Sequence, residues 1–115
     1  MSKSFKQITQ DINQALLPLR KEAAEAMTGF SAMAKGAMAP GILSELHKEL
    51  IALAISVSTR CDGCIGFHVK ALVRLGATRE QINETLAVAV YMGGGPSLMY
   101  AADVLRAYDE FRQPA

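Results

Sequence analysis

Apolar residues in this 115-residue chain recur at intervals of three and four from end to end, and no segment alternates in period two. That spacing puts the apolar side chains on one stripe of an α-helix, whereas a half-buried strand needs strict alternation. The chain is therefore expected to be all-α, a single-domain bundle of about six helices spanning residues 1–115. Phe5, Ile8, Ile12 and Leu16 mark a first helix limited by Pro18. A second stretch runs from Leu19 to Lys35, with Ala23, Ala26, Met27, Phe30 and Met33 facing inward, and residues 36–41 form a loop. Ser44 is the expected N-cap of a third helix carrying Leu46, Leu50, Leu53, Ala54 and Val57. Another begins at Asp62 or Gly63 and closes on Gly76 at its C′ position. Thr78 and Gln81 fit a capping box for a helix reaching about Met92. Gly93-Gly94-Gly95-Pro96 breaks that helix, and Pro96 suits the first turn of a last one ending near Phe111.

The punctuation by Gly and Pro keeps apolar runs such as 50–55 and 86–92 far short of the ~20 residues of a membrane-spanning helix. Residues 1–6 lead into polar sequence without an apolar leader core. A cytoplasmic location is expected, in which a cysteine pair reads as redox-active or metal-binding rather than structural. The net charge is +1, without a basic block or a Trp, so nucleic-acid binding has no electrostatic support. Mean hydropathy is positive although the chain is short. The excess is read as surface hidden in a homo-oligomer that assembles through helical faces. Met27, Met33, Met38, Met92 and Met99 are read as packing residues, some of them at such an interface.

Chemistry is concentrated in one place. Cys61 and Cys64, the only two cysteines, stand at the expected start of a helix, with His68 four residues after the second and Glu49 twelve before the first. Two sulfurs at this spacing reach each other across one turn. The helix N-terminus, with its partial positive charge and free N–H groups, stabilises a thiolate. Arg60 adds positive character and Asp62 opposes it. Cys64 and His68 are i and i+4, so the imidazole shares a face with the sulfur and can take its proton. Cys61 is then placed to attack an oxidised Cys64, condensing with its sulfenic acid and releasing water. Glu49 lies beside a buried stripe and needs a partner there, and His68 becomes that partner if the two helices pack antiparallel.

Other readings of the same residues exist. Cys61, Cys64, His68 and Glu49 supply four possible zinc ligands, although structural zinc sites prefer more sulfur. His68 alone reads as a core histidine bonded to a carbonyl, and Glu49 alone as half of an ion pair with Lys48. His47 reads as a surface residue. Gly93-Gly94-Gly95 lacks the Lys-Ser/Thr of a phosphate loop and follows no strand. Tyr91 and Tyr100 are expected in ordinary packing rather than as pocket walls.

The Glu-x11-Cys-x2-Cys-x3-His spacing, with Gly76-Ala77 and the Met92–Pro96 break, resembles the alkylhydroperoxidase D-like branch of the carboxymuconolactone decarboxylase family over roughly residues 43–108. The resemblance implies an all-α fold assembled as homotrimers or homohexamers. It implies a thiol peroxidase acting on hydrogen peroxide or organic hydroperoxides, in which Cys64 attacks peroxide and Cys61 resolves and accepts reducing equivalents. Glu49 and His68 correspond to the proton relay. A lipoyl-bearing or thioredoxin-like dithiol protein would be the reductant, and the chemistry requires no metal or organic cofactor. The best-known peroxidase members carry a second His between the cysteines, where this chain has Asp62 and Gly63. The family's lactone decarboxylases generally lack the cysteine pair. A general thiol–disulfide oxidoreductase and a non-catalytic redox sensor are the alternative functions.

Overall fold

A computed structural model describes residues 3–114 and contains only helices, as the periodicity requires. They are α1 (Phe5–Ala15), α2 (Leu17–Glu22), α3 (Ala24–Met38), α4 (Glu45–Ser58), α5 (Asp62–Arg74), α6 (Arg79–Gly93) and α7 (Gly95–Arg112). The expected caps are present, and Ser4 adds one for α1 that was not expected. Ser4 and Ser44 accept the N–H groups of Gln7 and His47. Thr78 and Gln81 form the reciprocal capping box of α6. Each such cap satisfies donors that the first turn leaves orphaned, typically worth about 1 kcal/mol.

The core lies among α1, α4, α5, α6 and α7. Phe5, Leu53, Val57, Ile65, Val69, Leu72, Ile82 and Val104 are fully buried there. Burial of side chains this size contributes roughly 1.5–3 kcal/mol each. Helix α5 packs against α4, α7 and α1 and is the hub of the bundle. Its contact with α1 is close because Gly66 is buried there, and a Cβ on Gly66 would stand 2.7 Å from the Thr9 methyl.

The second predicted helix needs correction. The backbone turns at Ala23, dividing the stretch into α2 and α3, and α3 runs through Gly36 to Met38 instead of ending at Lys35. The expected inward stripe is also overturned. No residue of α3 is buried, and Phe30 and Met33 are 64% and 63% exposed. The physical reason is placement: α3 meets only α2 and α4, and α2 reaches no further than α1 and α3. Among the described residues, nothing covers Phe30 and Met33 on the apolar face of α3. No described helix is long and apolar enough to cross a membrane.

The segment before α1 is tied to the end of the chain. The Ser4 hydroxyl and the Phe5 N–H donate to the two carboxylate oxygens of Glu110, at 2.6 and 2.7 Å. Partial burial pushes the Glu110 carboxyl upward, but these hydrogen bonds, one from the Lys6 backbone and the Lys6 charge outweigh it and hold it below its ordinary 4.5. A carboxylate with a depressed folded pKa stabilises the native state above the ordinary value, and that stability is lost as pH falls through the folded one. Thermal unfolding below about pH 4.5 is therefore expected to show an acid-dependent loss of stability that Glu110→Gln reduces. An unchanged pH slope in the variant would remove Glu110 from this role.

Candidate active site

The last turn of α4 and the first turn of α5 form the site. The chain leaves α4 through a Schellman turn, in which the Cys61 N–H donates to the Ser56 carbonyl and the Arg60 N–H to the Val57 carbonyl. Helix α5 ends in the same way, with Ala77 bonded to Leu72 and Gly76 to Val73. The left-handed residue at the α5 exit is Gly76 at φ 80°, but at the α4 exit it is Arg60 at φ 56°. A non-glycine residue in this region stores roughly 1–2 kcal/mol of backbone strain. That strain sits immediately before Cys61, and the sequence alone gives no sign of it.

Cys61 is the N-cap of α5, and its Sγ accepts the Cys64 N–H at 3.1 Å. Cys61 and Cys64 are joined as a disulfide across a Cα–Cα distance of 5.2 Å. Both residues are partly buried. One turn further along α5 stands His68. On α4, Glu49 is buried in register with Leu53, Ser56 and Val57. His68 Nδ1 and Glu49 Oε1 lie 2.6 Å apart. Against an ionised carboxylate, which only accepts, Nδ1–H is the donor, and in the neutral imidazole Nε2 then carries the lone pair. The Glu49 side chain is 10% exposed and that of His68 31%. Lys48, the rival partner for Glu49, instead donates to the Ala39 carbonyl. The exposed His47 ring bonds the Ser44 hydroxyl. The four residues weighed as zinc ligands thus divide into two pairs, a disulfide and a carboxylate–imidazole hydrogen bond. Among the described residues, no three His, Cys, Asp or Glu side chains are gathered to hold a metal ion.

Residues 24–107 match the model of the carboxymuconolactone decarboxylase family. This chain belongs to the carboxymuconolactone decarboxylase family. An uncharacterized protein from Cupriavidus necator is 39% identical over 109 residues, covering 95% of this chain and 96% of its own. The crystal structure of a carboxymuconolactone decarboxylase family protein from Legionella pneumophila, in its apo form, superposes with a TM-score of 0.94 at 55% identity. It covers 97% of this chain and 100% of the Legionella chain. The alkyl hydroperoxide reductase AhpD of Mycobacteroides abscessus is 38% identical over 55 residues, 48% of this chain and 31% of that protein.

Within this family frame, the residues between the cysteines have physical reasons that sequence reasoning missed. A Cβ on Gly63 would stand 2.6 Å from Cδ1 of Ile12 on α1, so a side chain at position 63 would require the end of the half-buried Ile12 side chain to move. Asp62 is held from outside the site by Lys3, whose Nζ lies 3.1 Å from Oδ2 of Asp62 and 2.8 Å from Oδ2 of Asp103. Asp103 is buried on α7 and also accepts from Arg106 at 2.7 Å. Lys3 and Asp103 are 100 residues apart, and a buried acid on the last helix was the only available hint. Replacing the strained Arg60 by Gly is expected to raise the unfolding free energy by up to about 1 kcal/mol. Denaturant unfolding of the two proteins checks this, and a loss of stability would mean that the Arg60 side chain makes a compensating contact.

Proposed function

We propose that this chain is a thiol-dependent peroxidase that reduces hydrogen peroxide or organic hydroperoxides through the Cys61–Cys64 pair. The observation that carries the reading is the hydrogen bond between buried Glu49 and His68, one helical turn from Cys64. Shared sequence with a fragment of an alkyl hydroperoxide reductase supports it. In the proposed cycle His68 Nε2 takes the Cys64 proton, and the thiolate attacks one peroxide oxygen and breaks the O–O bond. The sulfur becomes a sulfenic acid, and the departing alkoxide or hydroxide receives its proton from His68. Glu49 keeps Nδ1 protonated and stabilises the imidazolium formed midway. Cys61 gives its proton to His68 and attacks the Cys64 sulfur as a thiolate; the disulfide forms, and the hydroxide displaced takes that proton and leaves as water. An external dithiol carried by a lipoyl-bearing or thioredoxin-like protein restores the pair by exchange in the cytoplasm.

The proposed working form is a homotrimer or homohexamer. Its support is apolar surface: Phe30 and Met33 on α3, Ile51 and Ile55 on α4, and Val88 and Met92 on α6 are all at least half exposed. Large apolar side chains left exposed on several helices in a chain this short fit surfaces that are covered on assembly.

One observation favours a second reading. The sulfur that receives an N–H at the helix start is that of Cys61, the arrangement by which a thiolate is stabilised for exchange with a protein disulfide. On that reading Cys61 is the attacking thiol and peroxide turns over slowly.

Peroxide consumption with a dithiol donor separates the two. Under the peroxidase reading Cys64→Ser abolishes turnover, while Cys61→Ser completes one peroxide reduction and leaves a sulfenic acid that dimedone traps on Cys64. Glu49→Gln is expected to lower kcat/KM about 100-fold. If Cys64→Ser consumes peroxide at the native rate, the peroxidase assignment fails.

A further inference from the structure

The residue that contacts Asp62 comes from outside the family-matched segment, which begins at residue 24. Lys3 precedes α1, and the bonds from Ser4 and Phe5 to Glu110 and the fully buried Phe5 ring fix where it stands. From there its ammonium bridges Asp62, between the two cysteines, and Asp103 on α7, with the face of Tyr100 5.3 Å away. Asp103 is itself shared with Arg106. The group is closed electrically: two cations stand against two carboxylates. The hydrogen bond to Asp103 raises the Lys3 ammonium above its ordinary range; partial burial opposes this and Asp62 adds to it. Lys3 is thus charged throughout the range in which thiols titrate.

Asp62 occupies the first position of α5, next to Cys61 and between the two cysteines in sequence. An unpaired carboxylate there would repel a thiolate on either cysteine and work against the helix N-terminus that stabilises it. The other charged groups around the pair are Arg60 before Cys61 and the Glu49–His68 couple from α4 and α5. From α1, the atoms that meet the glycines of this turn belong to the uncharged residues Ile12, Thr9 and Phe5. Among the described residues, Lys3 is therefore the cation in contact with the Asp62 carboxylate.

We propose that Lys3 is a positioning residue of the dithiol: by holding Asp62 in an ion pair shared with Asp103, it neutralises the charge between Cys61 and Cys64 and keeps the reduced sulfurs reactive as thiolates at neutral pH. The inference rests on the reading that the pair cycles between dithiol and disulfide, but not on peroxide being the oxidant. Its direct consequence is on the reduced protein. Without Lys3, Asp62 acts on the thiolates at a separation of several ångströms through a largely aqueous medium, an interaction equivalent to about half a pH unit.

The test is the alkylation rate of the faster thiol against pH, measured by mass spectrometry on reduced full-length protein at low salt. In Lys3→Met the pH midpoint is expected to rise by about half a unit, with the rise shrinking in molar salt. Lys3→Arg restores the native midpoint. Asp62→Asn, which keeps Lys3, leaves the midpoint at or below the native value, and adding Lys3→Met to it produces no rise. The proposal is overturned if Lys3→Met leaves the midpoint unchanged, if the rise persists in the Asp62→Asn background, or if Asp62→Asn itself raises it. A merely structural role of Lys3 would lower the melting temperature without moving the midpoint. Alkylation uses no peroxide, so a failed shift and an absence of peroxidase turnover are separate results.

Discussion

Helix α5 is held on three sides, and the rest of the site depends on that confinement. Helix α4 brings Glu49 to it, α7 brings Asp103, and α1 lies so close that a side chain at Gly63 or Gly66 would press on Ile12 or Thr9. A helix packed this way has little freedom to rotate or slide, because interiors are as dense as organic crystals and a shift of one side chain displaces its neighbours. The first turn, with its two sulfurs, therefore keeps a fixed position relative to the His68 ring and the Glu49 carboxylate. The hydrogen bond between Glu49 and His68 joins two helices that this packing already holds side by side.

Chemical roles within the site follow from unequal surroundings. Glu49 sits among core residues of α4 and finds a single hydrogen-bond donor in His68, so the imidazole is oriented through one nitrogen and offers the other. Cys61 lies where the strained exit from α4 meets the capped start of α5, while Cys64 lies inside the first turn. Two chemically identical thiols thus differ in backbone support, in hydrogen bonding and in which neighbouring groups they share.

Much of this was legible in the sequence because it was local. The three-to-four spacing of apolar residues, Ser44 and Thr78 as caps, Gly76 at a helix exit and the i, i+4 relation of Cys64 to His68 all concern residues within a turn or two of each other. The Glu49–His68 pairing needed one assumption, that consecutive helices pack side by side. Phe30 and Met33 misled because periodicity identifies an apolar stripe but not what covers it, and among the described residues nothing covers these two. Lys3, Ile12 and Arg60 were out of reach for a different reason. Their roles depend on the tertiary docking of α1 and on a backbone dihedral, and neither leaves a mark in residue type or spacing.

The meeting of Ile12 with Gly63 ties the two ends of this arrangement together. A Cβ at position 63 would press on the end of the Ile12 side chain in the first helix. Positions 12 and 63 are then not independent sites of change, since a side chain at 63 displaces the end of the one at 12. How readily a further acid–base group is accommodated between the cysteines depends in part on the N-terminal helix, half a chain away in sequence. Substitution at position 63 would thus be felt at the α1–α5 contact as well as beside the sulfurs.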